Sequence, residues 1–334
     1  MDITGNKLLV IGGSGFIGSS LRRILFKKST NFLIIDKVYS SIFPNQSVLG
    51  DVTKSSFAKR SFEDNFAIIN LAAEHRDNVS PASLYDDVNI IGARNVCDLA
   101  RANGINKILF TSSVAIYGFA PIGTDESGLI MPFNDYGRTK WEAEQVYKEW
   151  QVEDQLNRTL VIIRPTVVFG ERNRGNVYNL LRQIVSGKFI MVGDGLNRKS
   201  IAYVENVAAF LEYALGFKSG VHIYNYVDKP DFTMNSLVAK VNKLLGRSSD
   251  IKFRLPFSLG LLIGMGFDLI AKITGKQFPV SAIRVKKFCA NSVYESAIES
   301  TGFNPPVSLM DAIEKTIRFE FIEDHKNEQV FYSE

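Results

Sequence analysis

Over 334 residues, 39 Lys plus Arg against 35 Asp plus Glu leave a formal charge of +4, too balanced for a general nucleic-acid binder. With 46% apolar and 22% charged residues, the chain has enough apolar content to bury a real core, which excludes a disordered polypeptide. Two cysteines, Cys97 and Cys289, cannot staple a fold of this size, which fits a reducing compartment. His75, His222 and His325 lie far apart with no HExxH or Cys/His cluster, so the spacing argues against a metal site. The opening MDITGNKLLV runs straight into a strand, which predicts no signal peptide and a cytoplasmic protein.

At about 150 residues per domain the length predicts two domains, or one large α/β unit with an insertion. In chain order, apolar runs predict strands over 8–12, 32–36, 67–71, 107–112 and 160–164. Patterns of helical period fall between them over 17–26, 87–103 and 136–150. That alternation predicts an α/β fold, a doubly wound parallel sheet of Rossmann type covered on both faces. After Pro165 the rhythm loosens: 170–176 reads as a loop, 177–186 as a helix, 221–227 as a strand returning to the sheet, and 236–245 as a helix closed by Gly246. There is no internal repeat and no Pro/Gly linker. Residues 1–170, with a returning segment near 201–230, are expected to form the nucleotide domain. Residues 171–200 and 231–334 are expected to form a smaller, mostly C-terminal lobe packed directly on it.

GGSGFIG, over 12–18, follows the first strand and opens a helix. Gly12, Gly15 and Gly18 suit a tight turn, close approach of backbone to a pyrophosphate, and close helix–strand packing. The helix start then offers free N–H groups to phosphate. Asp36, 18 residues after Gly18, ends the second strand. A carboxylate there accepts from the ribose hydroxyls and repels a 2′-phosphate, favouring NAD, although Lys37 beside it weakens that exclusion.

Tyr136 and Lys140, in YGRTK, are four apart in a helical pattern and share one face. Ser113, in SSVAIYG, ends a strand upstream, on the side where parallel sheets place ligands. A phenol with an ordinary pKa near 10 is a poor base at neutral pH, but a nearby ammonium and a cationic nicotinamide bring it into range. Ser113 would then hydrogen-bond the oxygen that exchanges the proton. A surface Tyr and Lys on an amphipathic helix is the alternative where glycine loop and serine are lacking. Cys97 is expected in the core. Glu74 and His75 could either face a substrate or be held structurally.

These residues together resemble the extended short-chain dehydrogenase/reductase superfamily, through GGSGFIG, Asp51–Val52, NLAAEH, Ser113, YGRTK and RPTVVFG. The resemblance covers nearly the whole chain. It implies Asp51 and Val52 as adenine contacts, Phe16, Ile17, Leu71, Ala72 and Ala73 lining NAD, and Asn89 positioning the active site. Lys140 is similar to the lysine that binds the nicotinamide ribose, and Pro165 to the residue beside the nicotinamide. Ser113-Val114-Ala115 stands where nucleotide-sugar 4,6-dehydratases carry Thr-Asp-Glu, which speaks against a dehydratase but not against a 4-epimerase or a 4-keto reductase. Where the superfamily's sugar-nucleotide epimerases grip the diphosphate with Arg, this chain has Lys199 with Arg198 beside it. Asn176 and Arg284 resemble further substrate contacts.

Charge concentrates between 251 and 290, where Lys252, Arg254, Lys272, Lys276, Arg284, Lys286 and Lys287 face Asp268 alone. The same window holds LPFSLGLLIGMGF over 255–267, thirteen residues without a charge, shorter than the roughly 20 that span a membrane. From composition alone, a buried or dimer-interface helix is slightly favoured over one lying in a bilayer interface. Longer strings (LAAEHRDNVSPASLYDDVN, IIRPTVVFGERNRGNVYNLLRQI) are similar to a narrower bacterial group of 4-epimerases that act on N-acetylhexosamine linked to diphospho-undecaprenol. That resemblance implies a lipid-linked substrate and a peripheral position on the cytoplasmic face of the inner membrane, and raises the interfacial reading above the buried one. The superfamily also implies a homodimer through the helices around 87–103 and 136–150. A soluble UDP-N-acetylglucosamine 4-epimerase, a UDP-4-keto-deoxysugar reductase and a non-catalytic NAD sensor remain as alternatives.

Overall fold

The computed structural model describes residues 7–40, 42–60, 62, 65–76, 79–251, 253–275, 281–325 and 328–332. β1 (Lys7–Ile11) leads through the glycine loop into α1 (Phe16–Lys27), then β2 (Phe32–Asp36), β3 (Ser47–Leu49), one-turn α2 (Ser55–Ala58) and β4 (Asn65–Asn70). Short α3 (Ser83–Tyr85) passes through a π-helical turn, Asp86–Ile91, into α4 (Gly92–Ala102), followed by β5 (Lys107–Thr111), α5 (Asp135–Val152) and β6 (Thr159–Pro165). Then come β7 (Val167–Phe169), α6 (Asn176–Val185), β8 (Met191–Val192), β9 (Arg198–Tyr203), α7 (Val204–Tyr213) and β10 (Gly220–Tyr226). The chain continues through β11 (Asp228–Thr233), α8 (Met234–Leu244), β12 (Arg254–Leu255), α9 (Phe257–Thr274), α10 (Ala282–Cys289) and α11 (Leu309–Ile317).

Seven parallel strands form the main sheet in the order β10-β6-β5-β4-β1-β2-β3. The apolar runs become strands here because both faces are covered, so alternation with polar residues is not required. On one face, Leu21 and Leu25 of α1 and Phe210 and Leu211 of α7 close over Leu8, Val10, Ile34 and Ile69. On the other, Val96 and Leu99 of α4 and Tyr147 and Trp150 of α5 close over Leu9, Ile11, Ile68 and Ile162. Cys97 is buried in this second layer, as expected. Strand order reverses at β1, with β2 on one side and β4 on the other, and this switch point opens a crevice at the strands' C-terminal ends.

The expected strand over 221–227 returns to the main sheet as β10, pairing in parallel with β6. Beyond it lie a three-stranded sheet, β11-β9-β7, and a two-stranded one, β12-β8. A separate apolar cluster joins Leu181 of α6, Met191 of β8, Leu237 of α8 and Ile313 of α11.

The window over 255–267 departs from the sequence reading in its length, and from the composition-only alternative in its burial. Its helix, α9, is 18 residues long with mean hydropathy 1.5, long and apolar enough to cross a membrane by length and composition. The helical backbone continues through Asp268 and Lys272, which the thirteen-residue reading excluded. It is also not a buried helix: only Gly260 and Gly264 are buried, and Leu262, Leu269 and Ile273 are exposed. Those two glycines are what allow α9 to pack at all. A Cβ on Gly260 would meet a Val192 methyl at 2.7 Å, and one on Gly264 the Ala282 backbone nitrogen at 2.7 Å. Lys252 and Lys276, two of the window's cations, lie outside the described residues.

Candidate active site

Between β1 and α1 the loop is held against backbone. A Cβ on Gly12, whose φ is +72°, would lie 2.6 Å from the Ala72 nitrogen, and one on Gly18 would lie 2.4 Å from the Gly13 carbonyl oxygen. Gly15 meets only the Gly12 carbonyl, at 3.3 Å, and caps α1 without a side-chain hydrogen bond; no acidic residue stands in the first turn. The start of α1, at Phe16 and Ile17, therefore presents uncapped N–H groups to an anion. At the tip of β2, Asp36 Oδ2 accepts the Ser14 N–H at 2.9 Å, which fixes the carboxylate beside the loop. Lys37 leans toward Asp51, 3.7 Å away, rather than over Asp36. Asp51 Oδ1 accepts the Thr53 N–H at 2.9 Å, and the buried Val52 carbonyl accepts from Asn95 at 2.6 Å. Leu71 and Ala72 are tied to β1 and to Asn70 through their N–H groups, which brings the Leu71–Ala73 stretch along the crevice floor. These residues fit a dinucleotide: a glycine cradle that a single Cβ would fill, a free helix terminus, and a carboxylate at ribose distance along the chain.

Across the switch point, β5 ends at Thr111 and α5 lies over it. The Tyr136 hydroxyl hydrogen-bonds Ser113, whose Oγ accepts the Ala115 N–H at 3.1 Å. Burial pushes the Tyr136 phenol above its ordinary value, and the Ser113 hydrogen bond opposes that rise. Lys140, one turn on, is buried; its ammonium donates to the Thr111 carbonyl and sits 4.3 Å from the Phe110 ring centroid. Desolvation pushes its pKa down to about 7, and the Glu144 carboxylate resists the fall. Pro165 is buried at the end of β6, opposite Tyr226 of β10.

Several supports were not read from the sequence. Arg164 forms a buried two-pronged pair with Glu144, Nε to Oε1 at 2.9 Å and Nη2 to Oε2 at 2.7 Å, and also donates to the Tyr117 hydroxyl. Ser112 Oγ donates to the same Glu144 oxygen at 2.6 Å. An arginine inside the apolar run of β6 and a glutamate four residues after Lys140 were the available signals. Asn89 lies in the π-helical turn, accepts the Glu74 N–H at 2.9 Å, and donates to the Glu74 carbonyl and the Thr139 hydroxyl. It thus clamps the segment after β4 onto α5, next to Tyr136. Glu74 pairs with Arg76 at 3.0 Å. Burial holds the neighbouring His75 imidazole below its ordinary pKa.

Four residues expected at the substrate end are placed differently from one another. Asn176 is exposed at the start of α6. Arg198 is exposed and pairs with Asp231 at 3.4 Å. Lys199 turns inward instead, its ammonium capping α10 through the Lys287 and Ala290 carbonyls at 2.9 and 2.7 Å. Arg284 is exposed on α10.

A family profile, NAD dependent epimerase/dehydratase, matches residues 8–226. The chain belongs to that family. Its cofactor is NAD, and the crevice at the switch point is where family membership and geometry agree. The chain is 46% identical, over 98% of its length and 99% of the relative's, to the N-acetyl-alpha-D-glucosaminyl-diphospho-ditrans,octacis-undecaprenol 4-epimerase of Escherichia coli O157:H7. It is 23% identical to UDP-glucose 4-epimerase of Vibrio cholerae, over 92% of this chain and 94% of that one. In fold it resembles UDP-N-acetylglucosamine 4-epimerase from Bacillus cereus, with a TM-score of 0.72 at 17% identity, covering 94% of this chain and 99% of that one.

Proposed function

We propose that the protein is a 4-epimerase of N-acetylhexosamine carried on diphospho-undecaprenol, interconverting the gluco and galacto sugars at the cytoplasmic face of a membrane. The observation that carries the lipid-linked reading is α9: an apolar helix whose side chains face outward, bordered by cations, beside the lobe expected to hold the substrate. A soluble nucleotide sugar gives no reason to leave Leu259, Leu262, Ile263, Leu269 and Ile273 in water. The near full-length similarity to the E. coli O157:H7 enzyme supports the same reading.

Bound NAD supplies reversible hydride acceptance at carbon 4 of the sugar. Tyr136 Oη takes the proton of the 4-hydroxyl, while Ser113 Oγ hydrogen-bonds that oxygen and holds it in line. Lys140, held by the Thr111 carbonyl, supplies positive charge to the phenolate in its protonated form and hydrogen-bonds the cofactor ribose. Asp36, Asp51 and Val52 hold the adenosine, and Phe16, Ile17, Leu71, Ala72, Ala73 and Pro165 enclose the rest. Asn176, Arg198 and Arg284 are the side chains given to the diphosphate end of the substrate. Residues 1–170 with the returning segment near 201–230 form the cofactor part, and 171–200 with 231–334 the substrate part.

On the membrane α9 lies flat. Asp268 accepts the Ala282 N–H at 3.0 Å and ties the helix to α10, and Asp268 in a bilayer centre would cost about 2.5–3.5 kcal/mol. The outer face of α4, the π-helical turn before it and α5, which includes exposed Ile91 and Val152, pairs two copies in a homodimer, to be checked by the mass in solution.

Purified protein is to be given N-acetylglucosaminyl-diphospho-undecaprenol in membranes and, in parallel, UDP-N-acetylglucosamine, with the sugar released by mild acid identified. N-acetylgalactosamine from the lipid sample is the expected result. Comparable turnover of the nucleotide sugar defeats the lipid-linked reading. A stoichiometric change in reduced-nicotinamide absorbance makes the enzyme a reductase.

A further inference from the structure

A cleft of about 480 Å³ lies at the foot of α9, within the range of ordinary ligand sites. Val192, Asp194, Phe257, Lys286, Cys289 and Ala290 line it. Phe257 is the first residue of α9, so the cleft opens directly onto that helix's exposed apolar surface. On its other side, α10 faces the nucleotide domain: the Lys287 ammonium sits 4.7 Å from the ring centroid of Phe133, three residues before Tyr136. The cleft therefore adjoins the α9 surface on one side and α10 on the other, the helix that touches the loop before Tyr136 through Lys287.

Its polar groups are mostly engaged inside the protein already. Asn197 Nδ2, also in the lining, donates to the Phe288 carbonyl at 2.8 Å. Asp194 Oδ1 accepts the Leu196 N–H at 2.9 Å, and the Cys289 thiol donates to the Val192 carbonyl at 3.5 Å. An entering group meets apolar carbon from Val192, Phe257 and Ala290, with two exposed charges at the rim, the Lys286 ammonium and the Asp194 carboxylate. A nucleobase needs several placed hydrogen-bonding partners, and with the Asn197 amide and the Cys289 thiol turned to backbone the wall offers the Asp194 carboxylate and little else. A hydrocarbon next to a phosphate needs neither more nor less than apolar walls and one cation.

We infer that this cleft binds the first isoprene units of a polyprenyl diphosphate, with Lys286 against the phosphate nearest the lipid and Phe257 directing the chain onto α9. The inference rests on the lipid-linked reading above and adds where the lipid leaves the enzyme. It also gives Lys199 a role consistent with its position: by capping α10 it fixes Lys286 and Cys289 at the cleft rather than touching the diphosphate itself.

Cys289 reports on the cleft, because Cys97 is buried and Cys289 is half-buried in the lining. The test measures N-ethylmaleimide alkylation of Cys289 in the NAD-bound protein, with N-acetylglucosaminyl-diphospho-geranylgeraniol, UDP or UDP-N-acetylglucosamine present. The geranylgeranyl compound is expected to slow alkylation about tenfold at ten times its Kd, by simple occupancy, and UDP to leave it unchanged. Cys289→Trp, which fills the cleft, is expected to raise KM for the lipid-linked sugar by about tenfold or more, as loss of a few buried methylenes requires, with a smaller change in kcat. Equal protection by UDP overturns the inference and makes the cleft a nucleoside site. Full alkylation in the presence of a lipid-linked sugar that the enzyme still epimerises overturns the inference alone. Failure to epimerise any lipid-linked sugar removes the functional reading first.

Discussion

The two ends of the crevice are built by opposite means. At the cofactor end, specificity is carried by backbone: Gly12 and Gly18 lie within 2.6 Å of where a Cβ would strike main-chain atoms, and Asp36 is locked by the Ser14 N–H. At the proposed substrate end the candidate groups are side chains, and they are exposed, ion-paired within the protein, or turned onto a helix terminus. Backbone cannot rearrange to suit a new ligand, whereas Arg198, Lys286 and Arg284 can. A common dinucleotide cofactor and a substrate handle that differs among relatives call for those two constructions.

The largest effect expected at the rigid end is on Tyr136→Phe, which removes the proton acceptor and leaves the ring. Turnover should fall about a hundredfold to ten-thousandfold, the usual worth of general acid–base catalysis, while NAD co-purifies in normal amount. Loss of NAD together with turnover would falsify a chemical role and make Tyr136 part of the packing. Glu144→Ala tests the scaffold beneath. It leaves Arg164 almost wholly buried without its carboxylate, a change that costs about 3–5 kcal/mol in urea unfolding. Glu144→Gln keeps part of the hydrogen bonding and should cost less.

A smaller effect distinguishes the ends by pH. The folded Lys140 has released its proton above about pH 7, whereas the unfolded chain holds it to the ordinary value of 10.5. Between those values the unfolded state binds more protons, so stability of the NAD-free protein should rise with pH in that window and the contribution be lost as pH falls through 7. Lys140→Met should flatten that rise in thermal unfolding from pH 7 to 9. An unchanged slope would place Lys140 in a more hydrated setting than its burial implies.

How far the sequence disclosed each end follows from the same contrast. Glycines with fixed spacing, a strand-end Asp and an i, i+4 Tyr–Lys pair are local patterns, and each falls on its expected element: the β1–α1 turn, the end of β2 beside that turn, and one face of α5. The strand positions agreed because the runs are apolar on both faces. Arg164–Glu144 joins residues 20 apart on different elements, so neither residue type announced its partner. Lys199 was expected to face substrate from its place in the chain; only the packing of α10, 88 and 91 residues on, shows its ammonium facing carbonyls. The run over 255–267 ended on charge, but helix does not end on Asp268: that carboxylate takes the Ala282 N–H, and the helix continues to an αL glycine at Gly275. β3, β7, β8 and β12 are two or three residues long, too short to leave a period.

The gentlest prediction concerns the adaptable end, and separates fold from function there. Leu262 is 63% exposed and touches little, so Leu262→Asp should change stability by no more than about 0.5 kcal/mol. If α9 lies in a bilayer interface, the same change removes a leucine from hydrocarbon, worth about 1.5–3 kcal/mol, and should weaken binding to phosphatidylglycerol vesicles about tenfold or more. Salt should weaken it further, because a cation such as the exposed Lys272 of α9 contributes about 1 kcal/mol against an anionic surface and loses it within a Debye length. The assay is co-sedimentation with vesicles at two ionic strengths, with thermal unfolding of the same samples. Unchanged vesicle binding would return α9 to an interface between protein chains, and its exposed leucines would then have to be matched by a partner's apolar face.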